Sequence, residues 1–344
     1  MFFAKKLIFP PFFIFIIFPL LVVSCASTSV KESSTQKAPD WLTSDVNSVY
    51  NENEHIAAVG EGYSTDLARN DALNKLSMYF ETTVRSEGVA KRVTVNSSFS
   101  SSSEQTISVT SNMKLFGVKF TEAFYLKKEK KYYCVAYIDR KDAWARYESE
   151  IKNARDIFIS YYENAVHEVE PINKIKLLGD AQKTGEDFRE KLVFANILSK
   201  DLTQKTYGKD EQLLSSIPSM IKKEQVSNPV YISVDDDNAG AIESAIRKIF
   251  SNLGFVVSGS ATNASYTAKA EVNYNKASGT TRIVLNPYIT LSLKGKNGSV
   301  YAFSAESEKV VAPNEQTAKE IAAQDITEII QQKLEADIKN TLGL

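Results

Sequence analysis

Residues 266–305 read YTAKAEVNYNKASGTTRIVLNPYITLSLKGKNGSVYAFSA. Tyr266, Ala268, Ala270, Val272 and Tyr274 alternate with polar residues, as do Ile283, Leu285, Ile289, Leu291 and Leu293. A period of two marks strands with one buried face and one wet face. Ala277-Ser278-Gly279 and Lys296-Asn297-Gly298 supply the intervening turns, and an Asn-Gly pair is a strong hairpin signal. A further strand is expected near Val300 to Ala305.

The apolar face of such a sheet needs a cover, and the flanks provide it. Val230 to Val234 reads as a strand. Ala241 to Leu253 reads as a helix with Ala245, Ile249 and Leu253 inward and Gly254 as its stop. A long closing helix begins near Asn314, with Ala322, Ile326, Ile329, Lys333, Ile338 and Leu342 along one side. Residues 229–344 are therefore expected to form an antiparallel sheet covered on one face by two helices.

Upstream, residues 143–228 show helical periodicity. Ile151, Ala154, Phe158, Tyr161, Ala165 and Val169 form one stripe, interrupted by Pro171; Phe188, Leu192, Ala195, Leu198 and Leu202 form another, ended by Gly208. Two amphipathic helices need a partner surface, most simply each other.

Residues 39–142 read as a small α+β unit. Ile56 to Val59 is a short strand closed by Gly60 and Gly62, and Ser64, Thr65 and Asp66 offer N-caps. Ala68, Ala72, Leu76, Phe80 and Val84 then fall on one helical stripe, before a polar stretch that follows Gly88 and holds eight serines between Ser97 and Ser111. That stretch reads as a mobile loop or a weak exposed strand, with a loop that orders on a partner or glycan as the functional alternative. Phe116, Val118, Phe120, Phe124 and Leu126 are expected to share one face of a strand, paired through the charged turn Lys127 to Lys131 with Tyr132 to Ile138. The fold class is α+β.

Pro39-Asp40-Trp41, Val59-Gly60-Glu61-Gly62, the Ala-rich run Ala68 to Leu76 and the closing Tyr132-Tyr133-Cys134-Val135-Ala136-Tyr137 before Lys141-Asp142-Ala143 together resemble the LPP-twenty family of envelope lipoproteins. The resemblance covers about a third of the chain. It implies a small α+β domain, similar to the amino-terminal domain of a flagellar T-ring protein, and carries no catalytic residues.

The amino terminus points the same way. Lys5 and Lys6 precede an uncharged run from Leu7 to Val23, which Pro10, Pro11 and Pro19 interrupt. A bilayer span needs about 20 apolar residues, and prolines break helical hydrogen bonding, so a cleaved secretory signal over residues 1–24 is the better reading. Val22-Val23-Ser24-Cys25 resembles a lipobox, which implies that Cys25 is acylated and becomes the first mature residue. Several acyl chains give stable anchoring. Ala26 in place of aspartate favours the outer membrane, and residues 25–38 serve as a lipidated tether rich in Ser, Thr and Lys.

Loss of residues 1–24 leaves 39 basic against 42 acidic residues. Nucleic acid is disfavoured as a partner, since phosphate binding needs clustered Lys and Arg. With Cys25 acylated, Cys134 has no disulfide partner and is expected to be a buried, inert thiol.

Other features mimic chemistry. Gly60-Glu61-Gly62 lacks the third glycine of a dinucleotide fingerprint and the Lys-Ser/Thr of a P-loop, so it reads as a tight turn. Asp235-Asp236-Asp237-Asn238 lacks the EF-hand spacing, with Ala239 and Ile246 at ligand positions; it reads as helix capping, or as a loose ion site. His55 and His167 make no zinc motif. No catalytic set, cofactor or metal is expected. The chain is expected to be a non-catalytic scaffold or assembly factor of a cell-envelope complex, meeting an envelope protein or further copies of itself. A lipoprotein that binds a small ligand or peptidoglycan is the alternative.

Overall fold

The computed structural model describes residues 37–94, 117–235, 240–277 and 282–344, without the side chains of 87–94. Cys25, Ser97 to Ser111, Phe116, Asp236 to Asn238 and the Ser278-Gly279 turn lie outside the described residues. The fold is α+β.

Two short helices, α1 (Asp40–Thr43) and α2 (Val46–Val49), lead into β1 (His55–Gly62). Helix α3 (Thr65–Thr94), strands β2 (Lys119–Phe120), β3 (Phe124–Leu126) and β4 (Lys131–Asp139) complete a sheet in which β4 is central. Ser64 caps α3 by accepting from the Leu67 N–H at 3.2 Å. Ala68, Ala72, Leu76, Phe80 and Val84 are all buried, as the 3.6-residue period requires. They face Ile56, Cys134, Ala136 and Ile138. The opposite face of the sheet is covered by Trp41, Leu42, Val46 and Tyr50.

Three expectations change here. Gly60 and Gly62 lie inside β1, paired with Cys134 and Tyr132, and form no turn. A methyl group on Gly60 would stand 2.6 Å from the Ala72 Cα; the absent side chain is what lets helix and strand touch. Helix α3 also runs through Gly88 to Thr94. Finally, Phe120 pairs with Ala136 while Phe124 pairs with Tyr133. Four steps on one strand oppose three on the other, a β-bulge that turns Phe120 and Phe124 to opposite faces. Phe120 is exposed.

Strand β4 passes directly into α4 (Arg140–His167), capped by the Asp139 carboxylate. Helix α5 (Pro171–Ser227) returns along it. Pro171 opens this helix, where its missing N–H has no cost, and Gly208 lies buried within it. The true break is Ser199, at φ −158°. There the Ile197 carbonyl accepts from the Arg140 guanidinium, and Ser199 Oγ accepts from the Leu202 N–H. Phe158 and Phe188 stack at 5.9 Å and 13°, so the two helices do bury each other. Tyr161 and Val169 are exposed; Val169 lies beyond the helix end, outside the stripe.

The carboxy-terminal sheet contains β5 (Val230–Asp235), β6 (Val257–Ser258), β7 (Tyr266–Lys276), β8 (Ile283–Gly295), β9 (Gly298–Glu306) and β10 (Val310–Ala312). Its order is β6-β5-β7-β8, with β9 and β10 both on the outer side of β8. Strands β7, β8, β9 and β10 are antiparallel, but β5 runs parallel to β6 and β7. The sheet is therefore mixed, because α6 (Ala241–Asn252) returns the chain to the same end before β6. Ile232, Ala268, Leu293 and Tyr301 form one row across four strands, and Val234, Ala270, Leu291 and Phe303 the next.

Over this apolar face lie α6, α7 (Glu315–Ile329) and α8 (Glu335–Leu342). Asn314 caps α7 by accepting from the Thr317 N–H at 2.8 Å. Ile330 and Leu334 are buried, whereas Ile329 is half-buried and Lys333 exposed. The reason is a π-helical turn over Ile330–Leu334. Ala322, Ile326, Ile330, Leu334, Ile338 and Leu342 recur every four residues, which a uniform 3.6-residue helix would let drift; the wider turn restores the facing.

Candidate functional site

A polar cluster of side chains from two strands and one helix surrounds Glu61. Strand pairing sets Glu61 opposite Tyr133, and Lys131 reaches the Glu61 carboxylate at 2.7 Å. Tyr133 donates to Glu129. Lys131 also stands 6.0 Å from the centre of the exposed Tyr63 ring. From α3, Asp71 accepts the Glu61 backbone N–H at 2.9 Å, and Lys75 donates to the Val59 carbonyl at 3.2 Å. Lys75 and Asp71 pair with each other at 2.8 Å.

The electrostatics follow from these contacts. The hydrogen bond from Lys131 holds the Glu61 carboxyl below its ordinary range and raises the lysine in return. For Asp71, burial acts upward, but the bonds from Lys75 and the Glu61 amide outweigh it and leave the carboxyl lowered. The bond to Glu129 pushes Tyr133 upward. Each carboxylate is thereby held ionised beside a lysine. A general acid or base needs a pKa near the working pH, and this cluster moves its groups away from it. Its chemistry is that of a clasp on the edge of β1.

Cys134 is fully buried opposite Gly60, and burial raises its thiol. That is the inert state, since the thiolate is the reactive form. His55 packs edge-on against both Tyr50 and Tyr137, 5.7 and 6.0 Å away, with a buried Nδ1 that has no partner among the described residues. His167 lies in the last turn of α4. No group of three His, Cys, Asp or Glu among the described residues is arranged for a metal ion. Asp235 forms a salt bridge with Lys269 at 2.8 Å, and Lys269 also meets Glu271 at 2.8 Å.

An open groove of about 500 Å³ runs between the start of α6 and α7, lined by Ala241, Glu320, Ala323, Gln324, Thr327 and Glu328. Its size falls within the range of ligand sites, but such sites are chiefly apolar and aromatic. Sequence reading missed both the groove and the Glu61 clasp. The clasp joins residues 70 apart, Glu61 and Lys131, and only strand register brings them together. No described helix is long and apolar enough to cross a membrane.

No family model matches the chain, so the resemblance drawn from Pro39 to Ala143 has no such model behind it. No curated protein matches it either. Among solved structures, a secreted protein of Helicobacter pylori is 13% identical, with 81% of this chain and 97% of that chain covered and a TM-score of 0.31. Lipoprotein B of Nitrosomonas europaea is 17% identical, covering 33% of this chain and 84% of its own, with a TM-score of 0.24. A minor lipoprotein of Acinetobacter baumannii is 11% identical, covering 34% and 92%, with a TM-score of 0.23. Bacterial lipoproteins thus recur among the partial likenesses, at scores that carry no argument about this chain.

Proposed function

We propose that this chain is a lipid-anchored envelope lipoprotein that acts as a non-catalytic scaffold or assembly factor. The observation that carries the reading is Val22-Val23-Ser24-Cys25 at the end of an uncharged run behind Lys5 and Lys6. Acylation of Cys25 holds the protein to the outer membrane, with residues 25–38 as the tether. From there the chain docks at once: Trp41 is buried against the cluster that holds Tyr133 and Val135. The polar groups of the Glu61 cluster are engaged in fixing strand edges, which fits a role in holding surfaces in place.

Two experiments test this reading. Cys25→Ala should give an unprocessed or soluble species that takes up no labelled palmitate; continued labelling would sink the anchor. Pull-down from crosslinked envelopes should enrich one multi-protein complex, and recovery of bulk membrane proteins alone counts against the scaffold.

A further inference from the structure

We propose that β9 is a self-pairing edge: Gly298–Glu306 of one copy hydrogen-bonds antiparallel to the same strand of a second copy, joining two carboxy-terminal sheets into one. The inference is independent of the lipid anchor.

The register shows which groups are available. Ser307 donates its N–H to the Pro287 carbonyl at 2.9 Å, so odd-numbered residues of β9 from Tyr301 onward exchange bonds with odd-numbered residues of β8. In an antiparallel ladder alternate residues turn both N–H and C=O the other way. Those of Ala302, Ser304 and Glu306 therefore face outward, and no strand pairs with them among the described residues. All three residues are exposed. The strand is firmly held from within, since Tyr301 is buried and its hydroxyl donates to Asp337 at 2.5 Å.

Proteins ordinarily blunt such an edge with charge, proline, short length or a covering side chain. This chain does so elsewhere. Asp71 and Lys75 occupy outward groups of β1, and β6 is two residues long. Strand β9 is nine residues long and has no proline, with its only charge at Glu306. A bulge at Val300 disturbs one end, and the stretch from Tyr301 to Glu306 is regular.

Charge names the occupant. Lys294 and Lys296 precede the strand, and Glu306 and Glu308 close it. Antiparallel pairing with an identical strand sets the basic end of each copy beside the acidic end of the other, at both ends at once. A two-fold axis needs this kind of self-complementarity, and opposite charges across strands are favourable.

The test is the mass of the full chain in detergent across a concentration series, together with its Cys25→Ala form. Both should reach twice the monomer mass. Ala302→Pro removes an outward N–H at a position where proline is tolerated on an edge; it should give monomer with unchanged circular dichroism. Ser304→Lys, which keeps the backbone, should do the same. Lys296→Glu should weaken the dimer roughly three- to ten-fold, and adding Glu308→Lys should restore it. Monomer at every concentration overturns the proposal, as does a dimer indifferent to Ala302→Pro and Ser304→Lys. A dimer present only in the acylated form assigns association to the anchor and overturns it equally.

Discussion

Gly179 of α5 and Gly343 near the carboxy terminus meet backbone to backbone: a methyl group on Gly179 would lie 2.7 Å from the Gly343 carbonyl carbon. Gly343 itself adopts φ +67°, which ends α8 and lets the half-buried Leu344 pack against the core. Gly179→Ala should therefore cost about 1–3 kcal/mol through overpacking, read as a lowered urea midpoint. In a chain lacking Gly343 and Leu344 the same substitution should cost less, though not nothing, because the Leu342 carbonyl oxygen would still lie 2.9 Å from the added methyl. Equal costs in both backgrounds would place the clash elsewhere.

Gly60→Ala should destabilise by a similar amount, about 1–3 kcal/mol, since the Ala72 backbone is rigid and cannot yield as a flexible side chain would. Gly259→Ala, with nothing within 4 Å, is the matched control and should change stability by less than about 0.5 kcal/mol. Thermal melts of the two variants decide the matter.

Acid should loosen the clasp on β1. Glu61 and Asp71 both have folded pKa values below their unfolded ones. Such a group contributes stability in full above its unfolded pKa and loses it as pH falls through the folded one. For Glu61 the loss begins below the ordinary value of 4.5. The urea midpoint should drop on acidification through that region, and Glu61→Gln with Asp71→Asn should flatten the slope. An unchanged slope in the double variant would mean that other carboxylates carry it.

Cys134 should resist thiol reagents at neutral pH until the chain is unfolded in urea, because burial raises its thiol and blocks access. Under the proposed acylation of Cys25, the native protein should then show no reactive thiol. Rapid labelling of the folded protein would show that the strand opens.

Periodicity made much of this fold legible. The α3 stripe from Ala68 to Val84 and the alternation of β7 and β8 were plain in the sequence because each lies on one face of one cover. What escaped was whatever depends on two elements meeting. Gly60 looked like a turn because nothing local announces that Ala72 will press on it. Gly208 looked like a helix stop, although it lies buried within α5, where tertiary packing holds the helix through it. Strand direction was also hidden, since the residues of β5 read alike whether β7 runs parallel or antiparallel to it. The clasp was illegible for the same reason, as Glu61, Asp71 and Lys131 share no local pattern. The reading of Cys25 rests on the linear pattern from Lys5 to Cys25 alone, lies outside the described residues, and is a matter for labelling.

The wide turn at Ile330–Leu334 has a consequence for how this chain can vary in length. Five steps of four from Ala322 to Leu342 use 20 residues, where five turns of an ordinary helix take about 18. Dropping a residue between Gln331 and Lys333 would change the rhythm to four, four, three, four, four, which a regular α-helix accommodates. Ala322 and Leu342 would each keep the neighbours they have now. The closing helix thus contains a seam at which a single-codon deletion can pass unnoticed by the core on either side.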